Sequence, residues 1–523
     1  MGRVLNRALR WNSPLLTCLG LVLALTAGLV LVRLTPLGGV LFVLLAVGGV
    51  ATVVEPLTGL IIMLFLGPLW AYLRAELVQV PAQISQVFLA LTLGVWVARG
   101  LVRRDLQLPW PFGGGSGQTT LPQQLPLQLP LLAFLGAALL SLWDAVELPV
   151  YGLPEMIKWV QVFLLFLFVA TSLTPRKLGW LVGGLLAMGF FQACVGVWQF
   201  GLRGDGPEHF AILDERFYRA YGTFEQPNPY AGFLGMMLPL ALGVVVGVVG
   251  GRLQKQQGDK GTRKQVGGSL GVSLPPYFRV ILTPGVLIPA GVAVALGAGL
   301  LMSWSRGGWM GFGAATVVMA LALPRKAYWG MLVVAVLVVG ALGLQTTGLM
   351  PASISARLTS FAEYVQFEDV RGVGINDANF AVIERLAHWQ AALEMWRYNF
   401  WTGVGFGCYE PAYRDFGLIN WRIPLGHAHN YYLNIAAETG LIGLVAYLLL
   451  WGAVFWQTWR ATRRGDGLLR GLAIGLLGTW THLSVHNGFD NLYVNNVHLY
   501  IGVLLGLLAY ISRRVDESAI KQT

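Results

Sequence analysis

Apolar runs long enough to cross a lipid bilayer recur along almost the whole chain, broken by short hydrophilic junctions. A helix needs about 20 mostly apolar residues to cross roughly 30 Å of hydrocarbon. The pattern predicts fourteen such spans, near 15–33, 37–54, 57–73, 83–100, 129–145, 154–173, 178–202, 229–250, 279–302, 307–323, 327–346, 437–458, 468–485 and 493–511. The expected fold class is therefore all-α, a polytopic transmembrane helical bundle. Glu55 and Pro56 split the second span from the third. Arg3, Arg7 and Arg10 ahead of the first run imitate a signal peptide. The run from Leu15 to Val32 is too long for a signal core and further spans follow, so it reads as a retained first span.

The polar breaks set the organisation. Residues 1–346 read as spans 1–11 with short loops, 347–436 as one large outward-facing, partly helical loop, and 437–523 as spans 12–14 with a tail. The stretch from Leu106 to Gln128 is a Gly-, Gln- and Pro-rich linker, and Lys255 to Gly271 is Gly- and Lys-rich. Neither carries a chemical motif. Two other regions do face outward with chemistry on them. Arg203 to Asn228 holds Asp214, Glu215, Arg216, Arg219 and the turn sequence from Glu225 to Pro229. In the large loop, Leu386, Trp389, Leu393 and Trp396 form an apolar stripe at helical spacing, with Arg385 and His388 sharing a face beside it. The run from Trp401 to Gly407 must turn sharply.

Composition sharpens this reading. Of 523 residues, 55% are hydrophobic and only 12% charged, which excludes an ordinary soluble domain. The net charge of +11 invites a nucleic-acid partner, but its distribution argues otherwise. Lys and Arg gather at Arg103-Arg104, Arg176-Lys177, Lys255 to Lys264, Arg325-Lys326, Arg460 to Arg464 and Arg513-Arg514. One alternation puts all of them on the cytoplasmic side, with both termini, so the charge is a topology signal and no nucleic acid is expected. The large loop has no lysine; its cations are Arg357, Arg371, Arg385, Arg397, Arg414 and Arg422. Arginine suits bidentate binding of phosphate or carboxylate, although a bias against outer lysine also fits. Three cysteines are too few for a disulfide framework.

Candidate chemistry concentrates at the outer ends of spans. In Ser303-Trp-Ser-Arg-Gly-Gly308, Arg306 reads either as a snorkelling residue at a helix start or as an anion site helped by exposed backbone amides. His427, Tyr431, Asn434 and Glu438 recur at helical spacing and read as a polar face lining a cavity. Gly440 and Gly443 then permit close helix approach. Gly403 to Gly407 resembles a nucleotide loop but lacks a βαβ unit, so it reads as a turn. His482 and His486 lack an acidic companion motif, and no metal site is expected there. The loop aromatics fit sugar stacking and an interfacial belt equally. There is no Walker A sequence and no Asp-x-Asp pair, so transfer chemistry would need a donor already activated in the membrane.

Taken together, Gly222 to Gly232 before a span, Ser305-Arg306-Gly307, Arg385 in the loop helix, Gly403-Val-Gly405 and His429-Asn430 followed nine residues later by Gly440-x-x-Gly443 resemble the O-antigen ligase and polymerase superfamily of bacterial envelope glycan assembly. The resemblance covers roughly residues 180–510. A higher span count and the basic insert after Arg252 depart from the family pattern. The resemblance implies an inverting, metal-independent glycosyltransferase without cofactor in the bacterial inner membrane. Its donor would be a glycan on undecaprenyl pyrophosphate, and its acceptor a hydroxyl of lipid A-core, glycan or protein. It implies that Arg306 and Arg385 clamp the pyrophosphate and that His429 is general base, with Arg219, His388, His427, Asn430, Tyr431 and Glu438 as substrate-binding candidates. An inorganic-carbon (bicarbonate) transporter or accessory protein is the competing reading; it calls for ionisable groups near the midplane, which the spans mostly lack.

Overall fold

The computed structural model describes residues 32–76, 83–103, 126–213, 216–262, 282–349, 351–359, 369–376 and 379–520, with residues 25, 26, 28 and 280. Almost all of the first expected span, most of the 106–128 linker, Asp214, Glu215 and the later part of the basic insert lie outside the described residues.

Every later expected span coincides with a helix. These are α1 (Pro36–Val54), α2 (Pro56–Leu66), α3 (Trp70–Glu76), α4 (Ile84–Arg103), α5 (Gln128–Ser141), α6 (Leu153–Ser172), α7 (Pro175–Val197), α8 (Pro227–Thr262), α9 (Pro284–Met302), α10 (Arg306–Ala322) and α11 (Ala327–Thr346). The large loop supplies α12 (Ala352–Thr359), α13 (Phe380–Tyr398) and α14 (Tyr409–Phe416), and the chain ends in α15 (Tyr431–Arg464), α16 (Gly467–His486) and α17 (Val497–Ile520). The only strands among the described residues are a two-residue antiparallel pair, Ala211–Ile212 with Phe217–Tyr218. The fold is an all-α polytopic membrane bundle.

Nine helices among the described residues are long and apolar enough to cross a membrane alone. Four expected spans differ. The 57–73 run breaks at Gly67–Leu69 into α2 and α3, and α5 and α10 stop at 14 and 17 residues. The fourth, α16, carries Arg470, Thr479, Thr481 and His482, yet is buried continuously from Gly471 to Leu483, where neighbouring helices replace lipid. α8 also runs past its expected end at 250 into the basic insert.

Proline at the first turn starts several helices, where its missing N–H costs nothing. α8 and α16 pack almost backbone to backbone: a Cβ on Gly243 would come within 2.5 Å of the Gly471 carbonyl. α17 is nearly enclosed, whereas α11 faces outward along almost its whole length, as a helix in contact with lipid would.

One helix is broken inside the bundle. At Gly440 of α15 the backbone turns to φ 63°, ψ −165°. The chain from 400 to 405 fills the break: the N–H groups of Leu441 and Ile442 donate to Phe400 and Trp401 carbonyls at 2.8 and 3.3 Å, and those of Val404 and Gly405 donate to Ala437 and Glu438 at 2.9 and 3.0 Å. Irregular backbone at membrane depth is tolerated only when protein satisfies it in this way. The 401–407 run is thus the expected tight turn, wedged into α15.

Candidate active site

The start of α8, the start of α10, α12, α13 and the turn after α16 converge on one cavity of about 780 Å³, counting its solvent-open part. Its polar lining is Arg219, Asn228, Ser305, Arg306, Arg357, Arg385 and His486; Gly307, Met310, Ala381, Val382 and Phe489 complete it. Each arginine is held by local geometry. Arg219 donates from Nε to the Ser303 carbonyl (3.0 Å) and from Nη2 to Asn228 Oδ1 (3.3 Å). The Ser305 hydroxyl donates to the same oxygen (2.9 Å) and caps α10 by accepting from the Gly308 amide (3.3 Å). Arg306 therefore stands in the first turn of a helix, whose partial positive charge also favours an anion. Arg357 donates to the Trp304 carbonyl (3.3 Å), and Arg385 to the carbonyl of Ala381 one turn back (2.7 Å).

No acidic side chain lines this cavity among the described residues. The consequence is electrostatic strain. Burial, and then the charges of Arg357, Arg385 and Arg306, pull the Arg219 guanidinium down to about 9. Burial and the charges of Arg306 and Arg385 bring Arg357 to about 10. Arg219 and Arg357 stay cationic near neutral pH, and a bound polyanion would relieve the repulsion within the cavity.

A histidine cluster adjoins the cavity. His429 sits at φ 51°, a backbone conformation uncommon for a side chain of its size, with Asn430 behind it as the cap of α15. Its ring centre lies 4.5 Å from that of His427 and 5.6 Å from that of His388. Asp490 faces them, 3.7 Å from His429 Nδ1 and 3.9 Å from His427 Nε2, beyond hydrogen-bond length but close enough for strong electrostatics. Neighbouring Phe489 lines the arginine cavity, which joins the two halves of the site. Burial alone would raise the Asp490 carboxyl, but His429, His427 and His486 together hold it well below the usual carboxylate range. Burial, followed by the charge of His429, lowers His427 to about 4; Asp490 opposes this and Arg385 adds to it. His388 falls to about 3, again chiefly by burial. The ligand atoms of His427, His429 and Asp490 lie within 4.8 Å of one another, so the trio could also hold a metal ion.

The structure brings Arg219, Arg306 and Arg385 together in the cavity, and His427 and His429 together beside it. His388 parts from Arg385: its Nδ1 pairs with the Tyr409 hydroxyl at 3.0 Å and its ring stacks on Tyr413, behind His429. The expected polar face at the start of α15 is turned into the protein, with Tyr431, Asn434 and Glu438 all buried. The helix begins at Tyr431, so His427 is not on it. Asn430 is consumed as a cap, accepting from the Tyr432 and Leu433 amides at 3.0 and 3.1 Å. Tyr431 stacks on Tyr493 at 4.3 Å inside the bundle, and Glu438 is buried, accepting from the Tyr409 amide at 3.1 Å. Asn228 and Asp490 complete the site unforeseen, with Arg357, read only as one of the loop arginines, and His486, weighed only as a metal ligand. A search for a carboxylate partner to His429 among the outer loops would have raised Asp490.

A search of curated proteins finds no match for the chain. Residues 291–448 match the family model described as O-antigen ligase, a stretch that holds Arg306, Arg357, Arg385, His427 and His429 but not Arg219 or Asp490. The match covers less than a third of the chain and supports the resemblance of this stretch to the O-antigen ligase superfamily.

Proposed function

We propose that this protein moves a glycan from an undecaprenyl-pyrophosphate donor to an acceptor hydroxyl, at the outer face of the bacterial inner membrane, in one inverting step without a metal. The observation that carries the reading is the acid-free cavity with four guanidiniums, set against an imidazole–carboxylate cluster. A pyrophosphate diester enters with two negative charges and leaves with a third developing on the departing oxygen. Fixed cations at that oxygen stabilise the transition state more than the ground state. Arg219, Arg306, Arg357 and Arg385 fill that role. His429 takes the acceptor proton and Asp490 stabilises the resulting imidazolium, as carboxylates behind catalytic histidines do.

No carboxylate or thiol lines the cavity among the described residues, which favours direct attack by the acceptor over a covalent glycosyl intermediate. A single displacement inverts the anomeric centre. The three ligand atoms of the histidine cluster leave a metal conceivable, but Arg385 already repels positive charge at His427. The arginines perform the neutralisation that a divalent ion would supply. Exposed Tyr398 and Trp401, at the far end of α13, offer stacking faces for a sugar, and lipid A-core, glycan and protein hydroxyls all fit as acceptors.

The test supplies purified protein with a lipid-pyrophosphate glycan and candidate acceptors. Wild type should release polyprenyl pyrophosphate and extend the acceptor, with no loss on adding a chelator. Arg306→Ala, Arg385→Ala and His429→Ala should each lose about 100-fold or more in kcat. Full transfer by His429→Ala, or loss of wild-type turnover with chelator, overturns the corresponding part. Uptake of labelled bicarbonate by proteoliposomes without any lipid donor would replace the reading with transport.

A further inference from the structure

We propose that His486 is a substrate-contacting residue of this site, a neutral imidazole whose N–H donates to a phosphate oxygen of the anion held by the arginines. The inference rests on the anion-site reading above and adds to it a donor of a different kind. His486 is the last residue of α16 and is itself buried, yet it lines the arginine cavity. Its Nδ1 is enclosed and has no hydrogen-bond partner. A buried polar nitrogen without a partner costs roughly 1–3 kcal/mol, so the position calls for a role. The ring cannot swing freely. Its Cδ2–Nε2 edge lies against Gly307, where a Cβ would come within 2.6 Å of Cδ2 and 2.9 Å of Nε2. Gly307 has no left-handed backbone that would require glycine, so this close approach accounts for a glycine directly after Arg306.

The placement also explains how the two halves of the site communicate. The turn at the end of α16, closed by the Phe489 amide donating to the His486 carbonyl (2.9 Å), presents Phe489 to the cavity and Asp490 to His429. One rigid turn therefore positions a phosphate donor and the carboxylate behind the base. A cationic partner there would only add to the arginine repulsion. A neutral N–H instead gives direction: it selects one oxygen of the pyrophosphate and fixes the angle of the leaving group to the attacking hydroxyl. No proton need be transferred at this residue, and its effect grows as charge accumulates on the departing oxygen.

The probe is farnesyl pyrophosphate, titrated into detergent-purified full-length protein beside farnesyl monophosphate. Wild type should prefer the pyrophosphate, and Arg306→Ala should abolish the preference. His486→Phe should weaken pyrophosphate binding about tenfold, while His486→Asn, which keeps an N–H donor, should recover most of it. Gly307→Ala, which displaces the ring, should behave like His486→Phe while melting as wild type does. In the transfer assay His486→Phe should lower kcat by about 10- to 100-fold. Arginine-dependent binding in wild type with unchanged affinity in His486→Phe removes this proposal and leaves the anion site standing. Equal losses in His486→Phe and His486→Asn likewise reduce the residue to packing. Absence of arginine-dependent binding in wild type removes the anion-site reading itself.

Discussion

Asp490 faces two imidazoles and belongs to a loop whose neighbouring residue enters the cavity, so its removal can separate catalysis from binding. Asp490→Asn keeps the shape and deletes the charge that would stabilise a protonated His429. The expected result is a loss of at least tenfold in kcat with KM nearly unchanged, measured by steady-state transfer kinetics. A raised KM with intact kcat would instead assign Asp490 to binding. The buried imidazoles make a second prediction. His388 and His427 are lowered to about 3 and about 4, so between those values and the ordinary 6.5 the folded chain binds fewer protons than the unfolded one. Their neutral burial is compatible with full stability above pH 6.5, and stability falls as pH drops through that window. Thermal melting of the solubilised protein from pH 7.5 to 4 should show this fall, and His388→Gln should flatten it.

At the scale of elements, the break in α15 is the feature on which the site depends. It lets the 400–405 chain hydrogen-bond into the helix, and that chain leads into α14, whose Tyr409 holds His388 behind His429. Gly440→Ala adds a Cβ that overlaps the Trp401 carbonyl, at a φ that only glycine adopts cheaply. We expect a cost of roughly 1–3 kcal/mol from the backbone alone, seen as a lowered melting temperature, with transfer lost alongside. A melting point unchanged from wild type would show that the break can relax. The same helix shows what periodicity can reveal. Hydropathy located α15 and the glycines that mark it, and the motif order brought Arg306, Arg385 and His429 into view. It could not reveal that Glu438 accepts from an amide 29 residues earlier, or that Asn430 spends its side chain as a cap. Nor could it reveal Arg357 and Asp490, which meet the site only through tertiary packing. Contacts that close long loops leave no local period to read.

For the whole molecule, the two ends of the bundle differ in charge, and the difference bears on its orientation. Short junctions gather at the end opposite the site. Arg325 after α10 pairs with Asp466 before α16, Arg463 donates to the Pro324 carbonyl at 2.6 Å, Arg460 meets Asp516 of α17 at 3.0 Å, and Arg513 bonds the end of α6. Arg357 and Arg385 lie within the 347–436 loop of some ninety residues, too long to vote under the positive-inside rule, which counts loops up to about 60 residues. Short-loop charge therefore supports the proposed outward-facing cavity, where a lipid-linked glycan already carried across the membrane would meet it. In a cysteine-free background, Tyr398→Cys, at a residue 79% exposed on α13, should react with a membrane-impermeant maleimide in intact spheroplasts. Glu517→Cys, at the far end of α17, should react only after permeabilisation. The opposite labelling pattern would turn the arginine cavity toward the cytoplasm, where a donor assembled for use on the outer face could not reach it, and the proposed reaction would fail at the level of topology whatever the chemistry of its residues.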